Sequence, residues 1–466
     1  MTAPVVWIIS PLVFAAFLLI LPRERWISLL GTAFSILLAG LAFWLPPDMA
    51  QRFGPISVRI DSTLSLLGRQ ISLTSANQTV LILVYSIAAF WFFGTLASGS
   101  ANRIVPLGLA VIALLVASLA VQPFLYAALI IEIATLLSVP MLVEPGQKPG
   151  RGLLRFLIYQ TLAMPFILFA GFLLSGVEAG PADLALITQA AVLLALGFAF
   201  LLSIFPLYTW IPLLAEEALP YTVGFILTVF PTFSLVFGLG FIDRYSWLRD
   251  SASLLAGIRF VGLLMVVSTG LWAAFEHHLG RIFAYAAVAE TGISLLALSL
   301  PDQQLNLQLL FYLLVPRALA FGVWTMSITI LKRQAPDLKF ASLQGLARQF
   351  PMAVVGTVLA NLALAGIPLF ASFPFRQALW EALAVQSIPA AIWFGIGSLG
   401  LWVGALRSLA VLTMAPENAK WESRETLGQR LLIGFGLLAL FFLGLFPQWA
   451  QPLFANLPLM FEHLGK

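Results

Sequence analysis

Four charged residues lie well inside apolar stretches of this chain: Glu132, Glu290, Arg317 and Arg376. In a membrane each would cost about 2.5–3.5 kcal/mol at the bilayer centre, so side chains of this kind face protein or a wet cavity. A carboxylate in such a setting can take up and release a proton. A guanidinium keeps its proton, so the two arginines can fix charge but cannot pass it on. The four are therefore either members of a proton or ion relay or static ion pairs that set helix packing. For Glu290 and Arg317 the favoured reading is a static pair across neighbouring helices. Arg376 reads as a fixed electrostatic element that holds an anion or a carboxylate from another helix or subunit, because Glu381, five residues on, shares its helix face poorly. Glu132 follows Pro123 by nine residues, about 13 Å at 1.5 Å per residue, which sets it near mid-membrane. Glu216 and Glu217 read as solvated residues, and His277 and His278 as capping or lipid-facing residues at a helix end.

The rest of the sequence supplies the membrane. Hydrophobic residues make up 61% of the 466 and charged residues 9%, against about 25% charged in soluble domains. Fourteen apolar segments can be placed, at 5–22, 27–45, 78–98, 104–121, 123–143, 155–176, 186–212, 219–242, 258–275, 281–300, 306–331, 351–385, 389–414 and 430–456. Most are near the 20 residues that cross about 30 Å of hydrocarbon as helix. They do not alternate as barrel strands do, so the expectation is an all-α integral membrane protein of about 14 transmembrane helices. The first segment has no basic residue ahead of it and no small-residue cleavage site, and reads as a retained helix rather than a signal peptide. The polar stretch 46–77 reads as an external loop with short extended pieces.

Lys and Arg set the orientation. Fourteen fall in the odd-numbered loops and seven in the even-numbered loops and the C-terminal tail; Arg317, Arg376 and Arg407 lie within or at the ends of helices. The odd loops are expected on the cytoplasmic side and both termini outside, in the cell inner (plasma) membrane. Two segments look broken. Segment seven contains Phe205-Pro206 and Pro212; segment twelve contains Gly366-Ile367-Pro368 and Pro374. Proline removes a helical hydrogen bond, and such breaks survive in lipid only where protein or a wet cavity covers them. One interrupted helix in each half points to an internal repeat around a central path.

The absence of cysteine and the presence of only three histidines exclude disulfides, thiolate metal sites and cysteine-held iron–sulfur clusters. Phosphate loops and nucleophile elbows are also missing. No cofactor, no metal and no nucleic-acid partner are expected.

Five stretches carry a resemblance. Arg59-Ile60-Asp61-Ser62-Thr63-Leu64-Ser65, Ile131-Glu132-Ile133-Ala134-Thr135-Leu136, Phe205-Pro206-Leu207-Tyr208-Thr209-Trp210-Ile211-Pro212, Arg281-Ile282-Phe283-Ala284-Tyr285-Ala286-Ala287-Val288-Ala289, and Gly345-Leu346-Ala347-Arg348 through Pro351 with Leu364-Ala365-Gly366-Ile367-Pro368 resemble, in order and spacing, the motifs of the antiporter-like membrane subunits of respiratory complex I. That family is shared with membrane-bound hydrogenases and multisubunit sodium/proton antiporters. The resemblance implies fourteen helices, with two inverted five-helix repeats over 104–242 and 258–414 and discontinuous helices 7 and 12. Residues 1–103 would hold helices 1–3 and the external loop, and 415–466 helix 14.

It also implies a pumping pattern from which this sequence departs. Glu132 fits the family's fifth-helix glutamate, but the seventh-helix lysine falls on Leu201 and the eighth-helix lysine on Thr232. Tyr208 stands for the signature histidine and Pro316 for the eleventh-helix histidine, while the twelfth-helix ionisable position falls on Arg376. The expected role is therefore a membrane-arm subunit of a complex-I-like NADH:quinone oxidoreductase or hydrogenase-type assembly, non-catalytic in itself, with other membrane-arm subunits and the lipid bilayer as partners. Two other readings stay open: a stand-alone or two-component ion- or bicarbonate-linked transporter, and a purely structural paralogue.

Overall fold

A computed structural model describes residues 2–464 apart from 49, 54–55, 67, 144–145, 147, 175–183, 415–420 and 455. The long helices, in chain order, are α1 (Ser10–Ile20), α2 (Glu24–Trp44), α3 (Gln78–Ser98), α4 (Ala101–Ala120), α5 (Ala127–Leu142), α6 (Arg151–Leu174), α7 (Leu184–Leu201), α8 (Trp210–Glu217), α9 (Pro220–Arg244), α10 (Ala252–Phe275), α11 (Leu279–Leu298), α12 (Gln303–Lys332), α13 (Pro351–Leu364), α14 (Phe373–Gln386), α15 (Ile388–Thr413) and α16 (Leu427–Leu445). Among the described residues eleven helices are long and apolar enough to cross a membrane, or twelve if the bent pair Phe340–Arg348 and Pro351–Leu364 is one span. Each of the fourteen expected segments is helical in its main part. The first, seventh and twelfth are the short or interrupted ones. Lys420 and Lys466, two of the loop charges, lie outside the described residues.

Sequence chemistry sets the boundaries. Segments four and five are parted by Val121–Gln122 and Pro123, which cannot continue a helix. Segment fourteen ends at Leu445 rather than at 456, since Phe446-Pro447 stops it. Ser251, Asp302, Ser387 and Thr426 each cap a helix start through a side-chain oxygen, satisfying N–H groups that no turn can reach. The polar stretch folds as short strands: β1 (Ala50–Phe53) pairs antiparallel with β2 (Ile56–Arg59), and β3 (Thr63–Leu66), β4 (Arg69–Ser72) and β5 (Val121–Gln122) form a second antiparallel sheet.

α11 and α12 form the centre. Every residue of α11 except Arg281 is buried, and α12 packs against α3, α9, α13 and α16. At the periphery Ile20, Phe172, Phe275 and Val385 stand exposed, as lipid-facing side chains must. Glycines bring α10 and α15 into backbone contact: a Cβ on Gly270 would collide with the Gly397 carbonyl, and one on Gly400 with that of Gly270. Such small-residue faces let membrane helices approach closely.

Both expected breaks are present, and neighbouring side chains satisfy the carbonyls they free. After α7 the chain turns through Ser203 at φ +51°. Gln160 Nε2 of α6 donates to the carbonyls of Phe200 and Leu201 at 3.4 and 3.3 Å, and Trp210 Nε1 donates to Ser203 Oγ at 2.9 Å. After α13 the chain turns through Gly366 at φ +81°, a conformation that glycine adopts without strain. There Trp402 Nε1 donates to the Ala365 carbonyl at 2.8 Å and Ser372 Oγ to that of Ala363. The Asp243 carboxylate at the end of α9 accepts the backbone N–H groups of Glu462, His463 and Leu464 at 2.7–3.0 Å.

Candidate ion-relay site

Glu290 lies on α11 and Arg376 on the first turn of α14, just past the second break. Arg376 Nη2 donates to Glu290 Oε1, and the two side chains are 4% and 2% exposed. Arg317, on α12, is equally buried but does not pair with this carboxylate. Its Nη2 donates to Ser294 Oγ at 2.9 Å, and Ser294 Oγ donates to the Glu290 carbonyl at 3.0 Å. The expected Glu290–Arg317 pair is thus corrected. The break brings the start of α14 against α11, so Arg376 takes the carboxylate, and Ser294, one turn along the same face of α11, takes Arg317. Sequence reasoning passed over Ser294; its i+4 spacing from a buried glutamate is the signal that marks it.

The cluster carries more positive charge than negative. Arg317 Nε and Arg376 Nε and Nη1 are buried without a hydrogen-bond partner among the described residues.

Glu132 stands apart from this cluster. It is half-buried on α5, beside Ile133 and Leu136 on the exposed face. Its Oε1 accepts from Thr161 Oγ1 of α6 at 2.7 Å, while Oε2 is buried without a partner among the described residues. α6 mediates on both sides: Thr161 reaches Glu132 and its neighbour Gln160 reaches the Leu201 carbonyl. Leu201 is buried and, with Gln160, Ser203, Trp210 and Thr291, lines a cavity of about 10 Å³, room for about one water. Thr232 donates to the Thr228 carbonyl of its own helix at 2.7 Å and borders an apolar cavity of about 70 Å³. Neither lining contains a titratable side chain.

A second polar cluster surrounds the start of α11. His278 is its N-cap, with Nδ1 accepting from the Arg281 N–H at 3.3 Å. Burial pushes the His278 pKa below the ordinary imidazole range, against the opposing pull of Glu216 and Glu276. Arg281 Nε lies 3.5 Å from Glu276 and 4.0 Å from Glu216. Arg407 Nη1 reaches the Ala274 and Glu276 carbonyls, and its Nη2 lies 3.0 Å from His277 Nε2. Glu217 is exposed, as expected of a solvated residue, but it also accepts the Gly152 N–H at 2.9 Å and so caps α6.

The family model described as NADH:quinone oxidoreductase/Mrp antiporter, TM, matches residues 151–400, the stretch that holds both breaks and the Glu290–Arg376 pair. The chain belongs to this family. Within it, the chain is 28% identical over 315 residues to NADH-quinone oxidoreductase subunit N 2 of Acidobacterium capsulatum, covering 62% of this chain and 63% of that protein. It is 25% identical over 453 residues to NADH-quinone oxidoreductase subunit 14 of Thermus thermophilus, covering 91% and 97%. In fold it is similar to a chain of the Mrp complex from Dietzia sp. DQ12-45-1b, with a TM-score of 0.79 at 16% identity over 98% of this chain and 96% of that one. The antiporter-like fold and the multi-pass membrane character expected from the sequence both hold.

Proposed function

We propose that this chain is a membrane-arm subunit of a complex-I-like NADH:quinone oxidoreductase or related assembly, with an antiporter-like fold for proton translocation that lacks the usual pumping lysines. One observation supports this reading most: the likeness to subunit 14 of an NADH-quinone oxidoreductase extends over nearly the whole of both chains. The other membrane-arm subunits are then its partners. Glu132, Glu290, Arg317 and Arg376 are the candidates for the proton path. The surroundings of Leu201 and Thr232, with no titratable lining, favour a path that does not use a cation at those two positions. The inverted repeats are proposed over 104–242 and 258–414; in each, the fourth of the five helices is the broken one.

Affinity purification of a tagged full-length chain under mild detergent tests the assignment. Recovery of further membrane subunits together with a redox module is the expected result. A chain that purifies alone or with one partner and moves an ion in vesicles would favour the transporter reading.

A further inference from the structure

Beside the Glu290–Arg376 pair, an outward-opening cleft of about 310 Å³ lies between α14 and α15. It is lined by Gly366, Arg376, Trp380, Gly395, Ser398 and Trp402 among others. Two of these side chains have unused polar atoms: Arg376 Nε and Nη1, and Ser398 Oγ, are buried without a hydrogen-bond partner among the described residues. The indole N–H groups at the rim are spent, Trp380 on the Ala391 carbonyl at 3.1 Å and Trp402 on the Ala365 carbonyl at 2.8 Å. Gln377 Nε2 donates to Glu381 at 2.9 Å. Arg376 and Ser398 thus have unspent donors in one cleft.

The charge balance runs the same way. Arg317 and Arg376 are both buried; Arg376 pairs with Glu290, whereas Arg317 donates to a neutral hydroxyl, Ser294, so the cluster holds two cations and one carboxylate. A buried cation without a counter-charge is disfavoured in a low-dielectric interior, and a protein answers by drawing in an anion. A guanidinium, which only donates, and a hydroxyl, which can donate, lining one cleft suit one small monoanion.

We propose that the α14–α15 cleft is a binding site for a single monoanionic group of carboxylate or halide class, held by Arg376 and Ser398. The group neutralises the Glu290–Arg376–Arg317 cluster. It is supplied either by a free ion or by a carboxylate side chain of a neighbouring subunit.

The full-length chain has no cysteine, so a single Ser398→Cys variant reports on the cleft alone. It is purified in detergent and treated with 2-sulfonatoethyl or 2-aminoethyl methanethiosulfonate. In each reaction the thiolate displaces methanesulfinate to form a mixed disulfide, and rates are normalised to those of a small free thiol. The expected result is at least a tenfold normalised preference for the anionic reagent, with formate slowing it at constant ionic strength. Gly395→Leu, added to the same variant, reports whether reagents enter through the cleft. A Cβ at Gly395 meets nothing within 4 Å, so the side chain starts into open space, and slower modification by both reagents is expected. A normalised ratio at or below one, or a ratio that formate does not move, would overturn the proposal and leave the cleft an apolar groove. In the intact assembly the same cysteine separates the sources. Free reactivity that formate suppresses means a free ion; protection that formate does not change means a neighbour's carboxylate.

Discussion

Arg376 and Glu290 are 86 residues apart in sequence and form one buried ion pair across the second helix break, with Arg317 one helical turn away on Ser294. The three charges are unequal in what they leave behind. Arg376→Leu leaves the carboxylate a second cation within reach, whereas Glu290→Gln leaves two guanidinium groups with no carboxylate. Removing one partner of a buried pair costs about 3–5 kcal/mol. The loss for Glu290→Gln should reach that range, with Arg376→Leu clearly below it and Arg376→Lys closest to wild type. Unfolding in detergent ranks the three, and native-gel abundance shows the same order in the assembly. Equal losses for Glu290→Gln and Arg376→Leu would mean that Arg317 does not act as a reserve partner.

Gln160 holds the first break. Gln160→Leu keeps the volume but leaves the Leu201 carbonyl unpartnered, and a buried unsatisfied group costs about 1–3 kcal/mol. Trp402→Phe at the second break should behave alike through Ala365. Loss of stability with unchanged helix content by circular dichroism is the expected pattern; two neutral variants would show that the carbonyls find other partners.

The breaks and the four intramembrane charges were legible in the sequence because proline and charge are rare there and costly. The partner of Glu290 was not. Pairing across a non-helical turn depends on where the turn at Gly366 aims the next helix, and helical spacing carries no such information. Gln160 and Ser294 were missed for the opposite reason: uncharged polar residues are common in membrane helices, and only the carbonyl or guanidinium they meet gives them meaning.

His278 should make stability depend on pH. Its folded pKa is lowered, chiefly by burial, so the folded state prefers the neutral ring. The stability tied to it is complete above the unfolded value of about 6.5 and is lost as pH falls through the lower folded value, because the unfolded chain binds the proton more readily. His278→Asn keeps a capping acceptor without titrating. Its melting temperature should change less than the wild type's below about pH 6.5, and parallel curves would contradict this.

Glu132 faces a threonine hydroxyl rather than a cation. Glu132→Gln preserves an acceptor for Thr161 and should leave assembly intact and lower proton uptake by complex-containing vesicles only in part, less than in a subunit whose glutamate faces a lysine. Complete loss of uptake with normal assembly would show that another base serves as its charge partner.

The excess of Lys and Arg in the odd loops predicts that both termini lie outside. A periplasm-active reporter fused to the C-terminus should be active and a cytoplasm-active one silent; the reverse would invert the orientation.

The Asp243 carboxylate receives three successive N–H groups from residues 462–464. The acceptors on Asp243 are therefore synthesised 219–221 residues before their donors. Early folding of the part that includes α9 has to proceed without that clasp, and the clasp closes only once residues 462–464 have been made. A change confined to those three residues that turned their N–H groups away would then leave every membrane helix in place and the latch missing.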